Sequence, residues 1–142
     1  MAIRKVLLPL ISTGAGEAAL STAWTVAQFW NAHMAVLHVQ MDLAPAPAMS
    51  AMFQRFTVEH RVKVTEATAG AESATASFLI LTGRKLDILP QQARLADLTV
   101  VRHPATPEEV SSSDVLHAVL FDSGRPLLIA PQVATGIKQH RV

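Results

Sequence analysis

The 142-residue sequence contains no cysteine. That absence removes disulfides, thiolate nucleophiles and cysteine-ligated zinc together, and it suits a reducing cytoplasm, where the protein is expected to reside. Charge is also sparse: 16% of residues are charged and the net charge is +1. Such a balance gives no basic field for phosphate backbones, so no nucleic-acid partner is expected. No segment approaches the roughly 20 apolar residues needed to cross a bilayer. The opening "MAIRKVLLPLISTG" is short, is broken by Pro9 and lacks a small-residue cleavage site. It reads as a core strand, not an export signal, and no membrane partner is expected.

What is present is a hydrophobic chain, 50% apolar by composition and long enough for one domain. A domain of this size buries roughly 68–70% of the surface exposed by its unfolded chain. "KVLLPLI", Lys5 to Ile11, is a continuous apolar run ended by "STGAG", as expected of a strand buried on both faces. Leu20, Ala23, Trp24, Ala27 and Trp30 then recur at three- and four-residue steps, the apolar stripe of a helix. "HMAVLHVQM", His33 to Met41, is a second strand, which makes a βαβ unit with a right-handed crossover.

After the proline-punctuated "DLAPAPA", a second helix starts near Ser50 or slightly before it. Its apolar side comprises Met49, Met52, Phe53 and Phe56, continued less cleanly by Val62 and Val64. "FLILTG", Phe78 to Gly83, is a third strand. "KLDILPQQARLA" is a helix that Pro90 should kink or shorten, and "DLTVV" is a fourth strand. "SSSDVLHAVLFDSG" is a capped helix closed by Gly124, and "RPLLIAP" is a fifth strand. Five strands alternating with four helices predict a parallel, doubly wound, Rossmann-like α/β sandwich.

The pieces "KVLLPL", "AHMAVLHV", "ARLADLTVV" and "VLHAVLFDSGRPLLIAP", in this order and spacing, resemble the universal stress protein family over nearly the whole chain. The most specific pairing is Ala-Asp-Leu leading into an apolar strand, followed later by Pro-Leu-Leu-Ile. The resemblance implies an adenine-nucleotide alpha-hydrolase-like fold, an open five-stranded parallel sheet of order 3-2-1-4-5, and dimerisation through the last strand. It also implies a division between members that bind ATP and members that do not. ATP-binding members carry an acidic residue just after the first strand. Their loop after the fourth strand runs glycine, two residues, glycine, nine residues, glycine, then Ser or Thr, so that backbone amides can approach phosphates. Here Ile11 stands at the acidic position, Arg102 and Ala105 stand at the first two glycine positions, and the loop is shorter. The resemblance is therefore to the non-ATP-binding type, with no cofactor expected and ATP or AMP only as an alternative ligand.

Open α/β sheets bind ligands at the carboxyl ends of their strands, where the strand order reverses. Ser12, Thr13, Gly14, Arg102, His103, Ser111, Ser112 and Ser113 could converge there on an anion or nucleotide, although Glu108, Glu109 and Asp114 add opposing charge. The serines also serve as a cap: with Ser111 at the N-cap, Asp114 completes a capping-box-like arrangement whose loss would cost about 1 kcal/mol. Ser113, Asp114 and His117 lie on one helix turn and do not form the spatial triad of a hydrolase, and no Gly-x-Ser-x-Gly elbow occurs. His33 and His38 are oddly spaced on one strand and so point to opposite faces. His60, His103 and His117 show no ligand spacing, and no metal site is expected. Asp42, Asp87, Asp97 and Asp122 lie on separate elements with no motif linking them as paired carboxylates.

"PLLIAP" would be an apolar, uncharged edge, which a partner strand would cover. Pro126, Leu127, Leu128, Ile129 and Ala130 are thus the expected dimer edge of a homodimer, or of the equivalent contact with a second domain. Residues 1–132 form the expected domain and 133–142 a tail or the start of a linker. "GIKQHRV" at the end echoes "MAIRKV" at the start, as in the first half of a tandem protein. The expected function is that of a stress-response module acting by dimerisation or association with an unknown protein partner, without catalysis. The alternative is a small-molecule or nucleotide sensor, or a weak nucleotidase, using the degenerate loop.

Overall fold

The computed structural model describes residues 3–10, 16–40, 47–66, 73–102, 120 and 122–130. Along the chain these form β1 (Lys5–Pro9), α1 (Gly16–Trp30), β2 (His33–Gln40), α2 (Pro47–Glu59), β3 (Lys63–Val64), β4 (Thr75–Thr82), α3 (Lys85–Arg94), β5 (Leu98–Arg102) and β6 (Leu127–Ala130). The sheet order is β3-β4-β2-β1-β5-β6, with every neighbouring pair parallel. Apart from the two-residue β3, the five main strands stand in the expected order, and the order reverses at β1, between β2 and β5.

Strand alternation divides the core into two layers. Val6, Leu8, Met34, Val36 and Val100 face α1 and α2, whereas Leu7, Leu37, Val39 and Val101 face α3 and Leu120. Four of the five residues of the predicted α1 stripe are buried. Trp30, the last helical residue, is 41% exposed and makes an edge-to-face contact with Phe29.

Both helices on the first layer end in the same way. Asn31 and Arg61 adopt left-handed φ values of 51° and 53°. The following amides then reach back, Ala32 N to Ala27 O at 2.8 Å and Val62 N to Thr57 O at 2.9 Å, while Asn31 N and Arg61 N donate to Gln28 O and Val58 O. This is the Schellman closure, which satisfies orphaned carbonyls at a helix end.

That closure corrects the expectation that Val62 and Val64 extend the apolar side of α2. The helix stops at Glu59, and Lys63–Val64 form a sixth strand beside β4. The third main strand starts at Thr75, three residues before the expected Phe78. α3 runs four residues past Pro90, which is buried against the core. Of the predicted helix spanning Ser111 to Gly124, Leu120 is helical and buried, and Gly124 has the left-handed φ of 76° that suits a closing glycine. The rest of that helix and the 133–142 tail lie outside the described residues.

Candidate functional site

The carboxyl end of β1 is built by its neighbours. Leu10 N donates to Leu37 O at 2.8 Å, and His38 Nδ1 donates to Leu10 O at 2.8 Å. A carbonyl only accepts, so the proton of neutral His38 sits on Nδ1 and Nε2 keeps its lone pair. α1 begins beside this point at Gly16, where a β-carbon would lie 2.6 Å from Met52 Sδ and 3.1 Å from Leu10 Cδ1. A side chain there would require the end of Met52 to move, so Gly16 lets α1, α2 and the end of β1 pack closely.

Arg102 closes β5 on the other side of the reversal, half-buried and in register with Ala130 of β6. Of the predicted anion-site residues it alone is described. Ser12, Thr13, Gly14, His103, Ser111, Ser112 and Ser113 lie outside the described residues, as do Ile11, Ala105, Asp114 and His117.

Asp97, Asp87, His60 and His33 have structural partners, whereas Asp42, Glu108 and Glu109 lie outside the described residues. Asp97 Oδ2 accepts from Arg4 N at 2.9 Å and Lys5 N at 3.1 Å, while Asp97 N donates to Lys5 O at 2.9 Å. The aspartate of Ala-Asp-Leu thus pins the start of β1 to the start of β5. Asp87 pairs with Arg84 at 3.7 Å on the surface, and the His60 ring stacks on Phe56 at 4.2 Å. Among the described residues no group of His, Cys, Asp or Glu could hold a metal ion, and no helix is long and apolar enough to cross a membrane.

His33 is 2% exposed and links β2 to β4 by two side-chain hydrogen bonds, Nδ1 with Thr75 Oγ1 at 2.7 Å and Nε2 with Ser77 Oγ at 2.9 Å. Burial, and then the charge of Lys5, lower its pKa from the ordinary 6.5. His38 lies on the opposite face, as the odd spacing predicts: its ring meets the end of β1, not His33. The buried His33 network was not foreseen, because its hydroxyls lie more than forty positions away in sequence.

β6 ends the sheet. Thr99 N donates to Pro126 O at 3.1 Å, so alternation turns the backbone groups of Leu128 and Ala130 toward β5 and those of Leu127 and Ile129 outward. Among the described residues no strand pairs with that outer side, and Ile129 is 46% exposed.

No protein-family model matches the sequence, and no curated protein matches it. Solved structures do. A universal stress protein crystallised in complex with cAMP aligns with a TM-score of 0.62 at 21% identity, covering 94% of this chain and 100% of that one. The universal stress protein UspA from Lactobacillus plantarum aligns at 0.61 and 19% identity, covering 92% and 99%. A universal stress protein from Archaeoglobus fulgidus aligns at 0.57 and 12% identity, covering 92% and 95%. At these identities the likeness is one of fold: a parallel α/β sheet with helices, shared over more than nine-tenths of this chain.

Proposed function

We propose that this chain is a universal stress protein-like module that works in the cytoplasm by associating through β6, as a twofold homodimer or with a second such domain, without ATP binding or catalysis. The observation that carries the reading is the outward-facing backbone of Leu127 and Ile129 at the end of the sheet, beside an exposed Ile129. An antiparallel copy centred on Leu128 would pair Leu127 with Ile129 of its partner on both sides, using both outward donors and both outward acceptors of each edge. The edge carries no charge between Arg125 and Ala130 to oppose such pairing. Light scattering at micromolar concentration should give twice the 15.3 kDa chain mass, and Ile129→Lys should shift the population toward monomer. A wild-type monomer would count against the homodimer.

The absence of ATP binding is supported by Ile11, Arg102 and Ala105 at positions where the family's ATP-binding pattern has an acid and two glycines. A second reading, a nucleotide or small-molecule sensor or a weak nucleotidase, draws on the structural neighbour in complex with cAMP and on Arg102 at the order reversal. Calorimetric titration with ATP, AMP and cAMP separates the two. No heat and no thermal shift support association alone; low-micromolar binding lost in Arg102→Ala would favour the sensor.

A further inference from the structure

One row of side chains crosses the amino-terminal end of the sheet. Parallel register places Lys63 of β3 beside Thr75 of β4, Thr75 beside His33 of β2, and His33 beside Lys5 of β1, all on the face that carries Leu7 and Leu37. Both nitrogens of the buried His33 ring are taken by β4 hydroxyls, Thr75 Oγ1 at 2.7 Å and Ser77 Oγ at 2.9 Å. A neutral ring donates to one hydroxyl and accepts from the other, whereas a protonated ring donates to both. The bonds therefore tolerate a proton, but the surroundings oppose its charge. Lys5 and Lys63 are the cations of the row, and exposed Arg94 ends α3 on the same face. Asp97 lies beyond Lys5, where its Oδ2 is engaged by Arg4 N and Lys5 N. β4 carries no charge, Asp87 pairs with Arg84 at the far end of α3, Glu66 is exposed, and Glu72 lies outside the described residues.

We propose that this row makes His33 a pH-sensitive latch: when the ring gains a proton, β3 and the first residues of β4, Thr75 to Ser77, leave the sheet while β2, β1, β5 and β6 stay paired. The least firmly held part of the sheet lies there. Thr75, Ala76 and Ser77 bury no large apolar side chain, and β3 is held to β4 by pairs at Thr75 and Ala76 and by Thr65 N donating to Ala76 O at 2.8 Å. The next residue, Phe78, stacks on Phe53 at 5.3 Å and anchors the rest of β4. Segments that bury little apolar surface open before the core does. Peeling Thr75 to Ser77 away uncovers the ring, so water can solvate the imidazolium. Titration runs in the same direction: burial, and then Lys5, hold the closed ring below the ordinary 6.5, so the open form binds the proton first. One proton taken up on opening raises the opening constant about tenfold per pH unit below 6.5, until the closed form binds it too. The latch is independent of β6, which lies at the other margin of the sheet.

The test is amide hydrogen exchange from about pH 7.5 to about 4.5, with each rate divided by that amide's intrinsic rate at the same pH. Thr65 N, bound to Ala76 O, and Thr75 N, bound to Ala32 O, report the latch. Leu10 N, bound to Leu37 O, and Thr99 N, bound to Pro126 O, report the remaining sheet. In wild type the opening constants of the first pair should rise about tenfold per pH unit below 6.5 and then level off, while those of the second pair hold. His33→Gln has no titrating ring and should flatten the profile. Lys5→Gln leaves the ring in place and removes a neighbouring charge, so the total rise should shrink. Opening at Thr65 and Thr75 that ignores pH, or a rise shared equally by Leu10 and Thr99, would overturn the latch. So would a rise that persists in His33→Gln, or a Lys5→Gln profile identical to that of wild type.

Discussion

Replacing His33 with leucine probes the buried link between β2 and β4. The substitution keeps an apolar side chain of similar reach but removes the bonds to Thr75 Oγ1 and Ser77 Oγ. Each such bond contributes about 1 kcal/mol net, and a buried hydroxyl left unpartnered costs about 1–3 kcal/mol. Thr75 is 2% exposed, so its hydroxyl would be stranded. The expected loss is about 2–4 kcal/mol, read as a fall in Tm of roughly 5–15 °C. Adding Thr75→Val in the His33→Leu background removes the stranded hydroxyl and should recover about 1 kcal/mol or more, a non-additivity that denaturant unfolding resolves. The pH dependence has a definite sign. Because burial and Lys5 lower the folded-state pKa of His33 from 6.5, the unfolded chain takes up this proton first as pH falls. Its stabilising contribution is complete above 6.5 and is lost as pH descends through the folded pKa, so wild type should lose stability below 6.5 more steeply than His33→Leu. A His33→Leu chain within about 0.5 kcal/mol of wild type, or a further loss on adding Thr75→Val, would refute the reasoning.

Other substitutions test neighbouring parts of the account. Asp97→Ala removes an acceptor shared by Arg4 N and Lys5 N and should cost about 1–2 kcal/mol in urea unfolding, with no change in oligomeric mass. Arg61→Gly relieves the left-handed φ of 53° at the end of α2 and should stabilise by about 0.5–1 kcal/mol; a loss would show that the Arg61 side chain contributes more than its backbone costs. Leu8→Ala, at a fully buried position of β1, should cost about 2–5 kcal/mol by loss of transfer energy and creation of a cavity.

The sheet order was legible because β1, β2 and β5 are short apolar runs, buried on both faces, with helical periodicity between them. The end of α2 was not. Arg61 takes the left-handed turn that glycine usually signals, and Val62 and Val64 fall at spacings that imitate a continuing stripe although Val64 lies in a strand and is exposed. The start of β4 was hidden for a different reason. Thr75, Ala76 and Ser77 carry no large apolar side chain, and they join the sheet where β2 and the His33 ring bind them. Asp97 was visible as part of a motif, yet only the structure gives its role, pinning two strand starts. Of the anion site Arg102 alone can be placed, at the end of β5, because the other proposed residues lie outside the described ones.

Since the chain has no cysteine, one introduced thiol can report the β6 contact without background. In the antiparallel register centred on Leu128, the two Leu128 positions form a non-hydrogen-bonded pair on the axis, within the distance a disulfide spans. Leu128→Cys should therefore cross-link to covalent dimer under mild oxidation, whereas Val58→Cys, exposed on α2, should not. A folded Leu128→Cys chain that stays monomeric, or that cross-links no faster than Val58→Cys, would contradict association through β6.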